Sequence, residues 1–287
     1  MIDRALGDFL TRERLHGPGQ APQRLIGAMR HGTLNGGKRL RPLLVMQSAA
    51  IFSLAPDQVI RAALAVEMVH CYSLIHDDLP AMDDDDFRRG QPSVHKKFDE
   101  AAAILAGDAL LTHAFEVLAD PSSHPDPVVR TSLILELARG SGAAGMAGGQ
   151  ALDLMGEKNS PPENEIALMQ KMKTGAVIRA AVRMGALLGG ANDDQLAALT
   201  IYGQEAGHAF QLADDILDLT ATSEQMGKAT GKDAQRQKPT LVARIGLTAA
   251  RRHLGDTIHN AISALMMFGP EANGLRATAK YFAEREN

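Results

Sequence analysis

Residues 59–86 read "VIRAALAVEMVHCYSLIHDDLPAMDDDD", a long apolar pattern that runs directly into an acidic segment. Positions 59, 63, 66, 70, 73 and 77 follow one another at spacings of four and three, so they share one face of a predicted helix over 56–77. Most of its other positions are also apolar, which predicts burial on most sides. Pro80 ends regular helix because it lacks an N–H group and clashes with the preceding turn. We expect this break to bring Asp83 back toward Asp77.

Similar periodic segments, rich in Ala, Leu and Met, fill most of the chain. They predict helices over 3–15, 21–31, 39–54, 56–77, 100–119, 126–141, 144–155, 163–189, 193–220, 240–268 and 271–284. Pro and Gly separate them, and strand signals are nearly absent. The sequence therefore predicts an all-α fold, a single-domain helical bundle over residues 1–287.

Composition excludes several classes of protein. The chain has 287 residues, 45% of them apolar, and a net charge of −4, so a nucleic-acid partner is not expected. Its one cysteine, Cys71, allows no internal disulfide, which fits a reducing cytoplasm. The N-terminal residues lack the apolar stretch of a signal peptide, and no uninterrupted apolar run is long enough to predict a membrane span.

A second acidic motif, "DDILD", occupies residues 214–218. Asp214 and Asp218 are four residues apart and share one face of a helix. Either motif alone is typical of a solvated surface, yet like charges at this spacing cost a few tenths of a kcal/mol per pair. A divalent cation offsets that repulsion, and Mg²⁺ typically joins one or two carboxylates to substrate phosphates. Two such motifs favour a metal-bridged diphosphate site with these candidate ligands: Asp77, Asp78, Asp83, Asp214, Asp215 and Asp218.

Cations that suit phosphate occur in short clusters. Arginine binds phosphate with parallel donors, and lysine acts as a point charge. The clusters "GGKRLRP", "FRRG" and "KMKTG", with the loop over 220–240, supply Lys38, Arg39, Arg41, Arg88, Arg89, Lys173, Lys228 and Lys238. Each cluster alone is typical of solvated surface, but together with two acidic motifs they indicate diphosphate binding. For Gly145 and Gly149, at helical spacing, we predict close helix packing. No nucleotide-binding, serine-hydrolase or zinc-protease motif is present.

The motifs "GGKRLRP", "LIHDDLPAMDDDDFRRGQPSVH", "AILAGDALL", "GGQALDL", "KTGAVIRAAVRMGA" and "FQLADDILD" occur in the order found in one family. The chain resembles the trans-polyprenyl diphosphate synthases, of the bacterial farnesyl diphosphate synthase type, from about residue 27 to the C-terminus. The resemblance implies a helical bundle around a deep central cavity, usually a homodimer. It also implies condensation of isopentenyl diphosphate with dimethylallyl and geranyl diphosphate, aided by three Mg²⁺ ions.

The resemblance also implies roles for individual residues. Asp77 and Asp83 resemble the ligands of two magnesium ions, and Asp214, with Asp218 nearby, resembles the ligand of the third. The residues that resemble cations on the allylic diphosphate are Arg88, Lys173 and Lys228. The residues that resemble the isopentenyl diphosphate site are Lys38, Arg41, His70 and Arg89. Thr174 and Gln211 resemble the polar groups that face the developing carbocation, and Gln150 and Asp153 lie in a supporting motif. For His70, an ordinary buried histidine is the alternative.

Product length is predicted from the helix that carries Asp77. Tyr72 lies five residues earlier, about 7 Å along the helix axis. Farnesyl-type members of the family place an aromatic residue here as the floor of the pocket, so Tyr72 with Ser73 favours a C15 product; simple core packing of Tyr72 is the alternative. A geranylgeranyl diphosphate synthase and a non-catalytic synthase subunit remain open. A terpene cyclase and a helical calcium-binding protein fit the two motifs and the cations less well.

Overall fold

The structure is a computed structural model that describes residues 1–156, 161–220 and 240–284. The all-α prediction is confirmed. The first helices are α1 (Ile2–Phe9), α2 (Gln23–Thr33), α3 (Leu40–Ala50), α4 (Pro56–Asp77), α5 (Val94–Lys97) and α6 (Glu100–Ala119). They are followed by α7 (Pro127–Ser141), α8 (Met146–Gly156), α9 (Glu163–Gln170), α10 (Ala176–Leu188) and α11 (Asp193–Thr220). The last are α12 (Leu241–Ile245), α13 (Leu247–Ala264) and α14 (Asn273–Glu284).

The chain divides into two compact units. Unit 1 comprises Met1–Met46 and Ala55–Ile134, and unit 2 comprises Gln47–Leu54 and Leu135–Asn287. Short elements complete them: the two-residue strands β1 (Phe87–Arg88) and β2 (Gln91–Pro92), 3₁₀ turns at Pro121–Ser123 and Pro270–Ala272, and a π-helical turn at Lys171–Gly175.

In unit 1, α4 packs along α6, and α2 contacts both helices. The apolar residues of α4 bury as its pattern predicts, including Val59, Ala63 and Val66. Glu67, on the same helix, is only 1% exposed, and it accepts a hydrogen bond from Arg39 Nη1 at 2.6 Å. Arg39 also donates to Asp3 Oδ1 at 2.6 Å. This internal neutralisation allows a charged residue to remain within an apolar helix.

In unit 2, α11 packs against both α10 and α13. Glycines bring the helices close together: a Cβ at Gly203 would lie 2.9 Å from Arg179 Cα, and one at Gly207 would lie 2.8 Å from Gly175 Cα. Tyr202 on α11 is fully buried and donates its hydroxyl hydrogen to the Leu275 carbonyl at 2.7 Å. Backbone approach and one buried hydrogen bond thus fix the position of α11, the helix of the second acidic motif.

Two helices of unit 1, α4 and α6, are long and apolar enough by length and composition to cross a membrane. The core helices of water-soluble proteins meet the same criterion, and the most apolar window of α4 is 61% buried within the protein. Length and composition alone therefore do not show that either helix spans a membrane.

The structure corrects several predicted element bounds. The helix predicted over 3–15 ends at Phe9, because Arg30 Nη1 donates to the Gly7 and Leu10 carbonyls at 2.6 and 3.0 Å and the following residues are mostly polar. The segment predicted as one helix over 240–268 is broken at Gly246, whose φ of +81° is left-handed. The π-helical turn interrupts the helix predicted over 163–189. The β1–β2 hairpin was not predicted, since two-residue strands leave no alternating pattern.

Candidate active site

The first acidic motif in unit 1 folds back on itself where α4 ends. The Asp83 N–H donates to the Asp77 carbonyl at 2.8 Å, and the Asp84 N–H donates to the Leu79 carbonyl at 3.1 Å. The expectation that a break near Pro80 returns Asp83 to Asp77 is therefore confirmed. The backbone geometry brings two non-adjacent aspartates to one place.

Asp78 differs from its neighbours in this motif because it is 2% exposed and faces Arg88. Arg88 Nε donates to Asp78 Oδ1 at 2.8 Å, and Arg88 Nη2 contacts the same oxygen. Burial raises the pKa of Asp78, and the hydrogen bonds and charge of Arg88 oppose that rise. A second carboxylate, Asp85, lies 3.3 Å from Arg88 Nη2. Asp78 thus orients Arg88, the residue that the sequence assigns to a diphosphate.

The neighbouring arginine, Arg89, is held by the glycine-rich turn before α3. Gly37 has a φ of +122°, and a Cβ there would lie 2.5 Å from the guanidinium carbon of Arg89. Arg89 Nη1 also donates to the Gly36 carbonyl and, at 3.3 Å, to Asn35 Oδ1. The left-handed φ of Gly37 is the feature of this turn that favours glycine.

His70 lies within a group of positive charges in unit 1. Burial, followed by the charges of Arg41, Arg89, Arg39 and Arg88, holds the pKa of His70 well below its ordinary value. His70 is therefore neutral at pH 7. Arg39 was predicted as one of the phosphate cations, but its side chain is 8% exposed and bound to Glu67 and Asp3. This correction leaves Lys38 and Arg41 as the candidates from that cluster.

The predicted chain-length residues lie on α4 beside an aromatic neighbour. The rings of Tyr72 and His76 meet edge to face with centroids 5.7 Å apart. His76 Nε2 lies 3.0 Å from the Ile104 carbonyl and only 2.0 Å from where a Cβ of Gly107 would be. Burial, followed by the charge of Asp77, raises the pKa of Tyr72. The Ser73 hydroxyl donates to the His70 carbonyl at 2.9 Å.

The second acidic motif in unit 2 contains one buried aspartate with fixed partners. Asp215 is 5% exposed and accepts hydrogen bonds from Gln170 Nε2 at 2.7 Å and from Gln211 Nε2 at 2.9 Å. The Thr174 hydroxyl donates to Gln211 Oε1 at 3.0 Å, so a hydrogen-bonded chain links α11 to the π-helical turn. Burial raises the pKa of Asp215, while the two amide hydrogen bonds oppose it. Asp214 is half-buried, and Asp218 is exposed on the following turn.

Lys173 lies on the π-helical turn and donates to Asp153 Oδ2 of α8 at 2.6 Å. A Cβ at Gly149 would lie 2.1 Å from the backbone nitrogen of Lys173, and one at Gly145 would lie 2.3 Å from the Gly140 carbonyl oxygen. The predicted close helix packing is therefore confirmed at Gly149, whereas Gly145 precedes α8 and its close contact is with the end of α7 within the same turn of chain. Gln150, predicted in the same motif, is buried. Its side-chain N and O atoms have no hydrogen-bond partner within the part of the chain that the structure describes.

Lys228 and Lys238 lie outside the described residues. The other predicted residues fall into two sets: unit 1 holds the first acidic motif, the arginine cluster and Tyr72, and unit 2 holds the second motif with Lys173. Unit 2 also contains a cavity of about 470 Å³ whose lining includes Gln170, Gln211 and His208. Neither the lining of this cavity nor the π-helical turn was predicted from the sequence, although such turns are frequent at functional sites.

Comparison with known proteins gives concordant matches. The family model described as polyprenyl synthetase matches residues 22–265. The chain is 46% identical over 269 residues to the farnesyl diphosphate synthase of Escherichia coli (strain K12), covering 91% of this chain and 89% of that one. A crystal structure of an FPP/GFPP synthase from Zymomonas mobilis is similar with a TM-score of 0.85 at 42% identity, covering 98% and 94% of the two chains. A geranylgeranyl pyrophosphate synthetase from Pyrococcus horikoshii Ot3 gives a TM-score of 0.87 at 31% identity, covering 99% and 95%.

Proposed function

The chain belongs to the polyprenyl synthetase family, and from that premise we propose that it makes farnesyl diphosphate by head-to-tail condensation. It is a trans-prenyltransferase of isoprenoid biosynthesis. The observation that carries this conclusion is the 46% identity to a farnesyl diphosphate synthase over 91% of the chain. In the reaction, the allylic diphosphate loses pyrophosphate to give a carbocation, and the double bond of isopentenyl diphosphate attacks that carbon. A proton is then lost, for which the departing pyrophosphate is the acceptor.

We propose that isopentenyl diphosphate binds in unit 1 to Lys38, Arg41, His70 and Arg89. The support is electrostatic: burial lowers the pKa of His70 most, and the charges of the nearby arginines lower it further, so four positive charges lie where a multiply charged anion is favoured. Because His70 is neutral, it offers one N–H donor to the substrate and adds no positive charge that would repel the arginines. Arg89 is oriented before any substrate arrives by its hydrogen bonds to the Gly36 carbonyl and to Asn35 Oδ1. Such preorganisation lowers the entropic cost of binding.

For the metal we propose Mg²⁺, with three ions in the substrate complex and with Asp77, Asp83 and Asp214 as ligands. The donor set fits this ion, since all three are carboxylates, and the Asp83–Asp77 backbone hydrogen bond unites the first two. We propose that Asp218 acts through water. When bound, Mg²⁺ stabilises the negative charge that develops on pyrophosphate. Asp78 and Asp215 were also predicted as metal ligands; their buried hydrogen bonds support a different proposal, in which they position Arg88 and the two glutamines.

In unit 2, we propose that Lys173 binds the allylic diphosphate and is held in place by Asp153. Thr174 and Gln211 present oxygens whose partial negative charge suits a nearby carbocation, and Asp215 fixes the Gln211 amide so that its oxygen accepts from Thr174. Gln150 supports the same motif from α8. For Arg88, which lies in unit 1, and for Lys228 and Lys238, we propose contacts with the substrate diphosphates on the resemblance alone.

We propose Tyr72, with Ser73, as the determinant of the C15 product. The edge-to-face contact with His76 supports this role because it braces the phenol ring from the side nearer Asp77. We also propose that residues 1–287 act as one synthase domain; the family match runs through both units, from 22 to 265. A homodimer in the cytoplasm, with no membrane span and no nucleic-acid partner, completes the proposal.

The test is a product assay with purified protein, Mg²⁺, labelled isopentenyl diphosphate and, in separate reactions, C5, C10 or C15 allylic diphosphate. We expect C15 product from the C5 and C10 starters and none from the C15 starter. C20 product would instead indicate the geranylgeranyl alternative and remove Tyr72 as the floor. No product from any starter would indicate a non-catalytic subunit. Asp214→Asn should lose turnover, and Asp57→Asn, an acid in the first turn of α4, should retain it.

A further inference from the structure

A short hairpin connects the end of the first acidic motif to the residues that begin α5. The strands β1 and β2 pair Phe87 with Pro92 and Arg88 with Gln91. The Ser93 N–H then donates to the Asp86 carbonyl at 2.9 Å. The last acids of the motif are thereby placed next to the start of α5, the helix that carries His95.

Three side chains converge there. One carboxylate oxygen of Asp84, one of Asp86 and a ring nitrogen of His95 lie within 4.8 Å of one another. The two aspartates are exposed, whereas His95 is only 8% exposed. An acidic pair on a surface is common and indicates nothing by itself. The buried histidine is the feature that a solvated surface does not explain.

The hydrogen bonding of His95 is typical of a metal-binding imidazole. Its Nδ1 lies 3.0 Å from the Ser93 hydroxyl oxygen, while Nε2 is buried and has no hydrogen-bond partner among the described residues. An orphaned buried ring nitrogen costs free energy unless something binds it. Metal-binding histidines commonly use their other nitrogen in such a hydrogen bond, which fixes the tautomer and the ring orientation.

We propose that Asp84, Asp86 and His95 form a binding site for a divalent transition metal, separate from the proposed Mg²⁺ ligands. One imidazole nitrogen with two carboxylate oxygens suits Zn²⁺, Mn²⁺ or Co²⁺, whereas Mg²⁺ prefers oxygen donors alone. Ser93 is a positioning residue that orients the imidazole. Lys96 Nζ contacts Asp86 Oδ1 at 2.9 Å, and its 44% exposed side chain can turn to solvent when a cation replaces it.

The test is a Zn²⁺ titration of the full chain in excess Mg²⁺ and without diphosphates, so that oxygen-only sites are occupied by Mg²⁺. Calorimetry should give one Zn²⁺ per chain, and nuclear magnetic resonance should show a shift of the His95 Nε2 signal. His95→Gln and Asp86→Asn should each weaken Zn²⁺ binding at least about tenfold, and Ser93→Ala should weaken it by about 10- to 100-fold. His16→Gln, at an exposed histidine, is the matched control and should bind like the wild type.

Two results would overturn the proposal. One is equal Zn²⁺ affinity in the wild type and in Asp84→Asn and Asp86→Asn, exposed variants that test the site even if His95→Gln fails to fold. The other is loss of the Zn²⁺ site in Asp77→Asn, which would place the ion at the proposed Mg²⁺ ligands Asp77 and Asp83 instead. Because binding is measured rather than turnover, the outcome is independent of the proposed prenyl transfer.

Discussion

Asp78→Asn tests whether Asp78 orients Arg88 or binds metal, as Asp77 and Asp83 are proposed to do. The substitution keeps the side-chain shape and one acceptor but removes the charge that faces Arg88, in a pair whose side chains are 3% and 19% exposed. Loss of one partner from a buried ion pair costs about 3–5 kcal/mol. We expect about 3 kcal/mol, the lower end, because Arg88 retains partial exposure and its contact with Asp85. At about 2 °C per kcal/mol for a chain of this size, Tm should fall by about 6 °C.

The assay is differential scanning calorimetry alongside kcat/KM for geranyl diphosphate. Asp83→Asn is the contrasting variant: it should lose turnover by orders of magnitude while its Tm falls less than that of Asp78→Asn, because Asp83 is half-buried whereas Asp78 is buried. Asp57→Asn should leave turnover unchanged and lower Tm by at most about 2 °C, because an acid in the first turn of a helix contributes about 0.3–1 kcal/mol. If Asp78→Asn kept the wild-type Tm and lost turnover as Asp83→Asn does, Asp78 would contact metal or substrate directly, and the assignment to Arg88 would be wrong.

Three further substitutions test other parts of the proposal. Burial and arginine charges lower the pKa of folded His70, so below pH about 6.5 the unfolded chain binds a proton that the folded chain does not, and stability should fall by up to about 1.4 kcal/mol per pH unit. His70→Asn should reduce this pH dependence of the free energy of unfolding, measured by urea denaturation. An equal pH dependence in the wild type and the variant would contradict a lowered pKa for His70. Tyr72→Ala should lengthen the product to C20 in the chromatographic assay, and an unchanged C15 product would place the floor elsewhere. Gly149→Ala puts a Cβ 2.1 Å from the Lys173 nitrogen and should lower both Tm and turnover, whereas Gly255→Ala, whose Cβ meets nothing within 4 Å, should lower neither.

Helical periodicity predicted the longest elements well. The helices predicted over 56–77, 100–119 and 193–220 have the same bounds as α4, α6 and α11. Each has a long apolar pattern, and most of their ends carry a cap or a breaker: Pro56 and Pro80 for α4, Asp99 and Pro121 for α6, and Gly190 before α11. The return of Asp83 to Asp77 was also predictable, since the position of Pro80 dictates a break. These features depend on neighbours in sequence.

The features that sequence reasoning missed depend on neighbours in space. Asp77 and Asp78 are chemically identical and adjacent, and only the β1–β2 hairpin, which brings Arg88 to Asp78, distinguishes them. Likewise, Asp215 differs from its neighbour Asp214 because two glutamines donate hydrogen bonds to it, and one of them, Gln170, comes from α9. Arg39 was predicted beside Arg41 as a phosphate cation because nothing local reveals its buried partner Glu67.

The π-helical turn at Lys171–Gly175 makes the positions of the site residues in this helix depend on the number of residues that the turn contains. A π-turn holds one residue more than the α-helix on either side of it, and one residue corresponds to about 100° of rotation about the axis. Deleting a single residue from this turn would leave an unbroken α-helix of good propensity. It would also change the angular position of Lys173 and Thr174 relative to α10. Insertions and deletions here are therefore under a different constraint from those in the connecting loops, where added length leaves the direction of the flanking side chains unchanged.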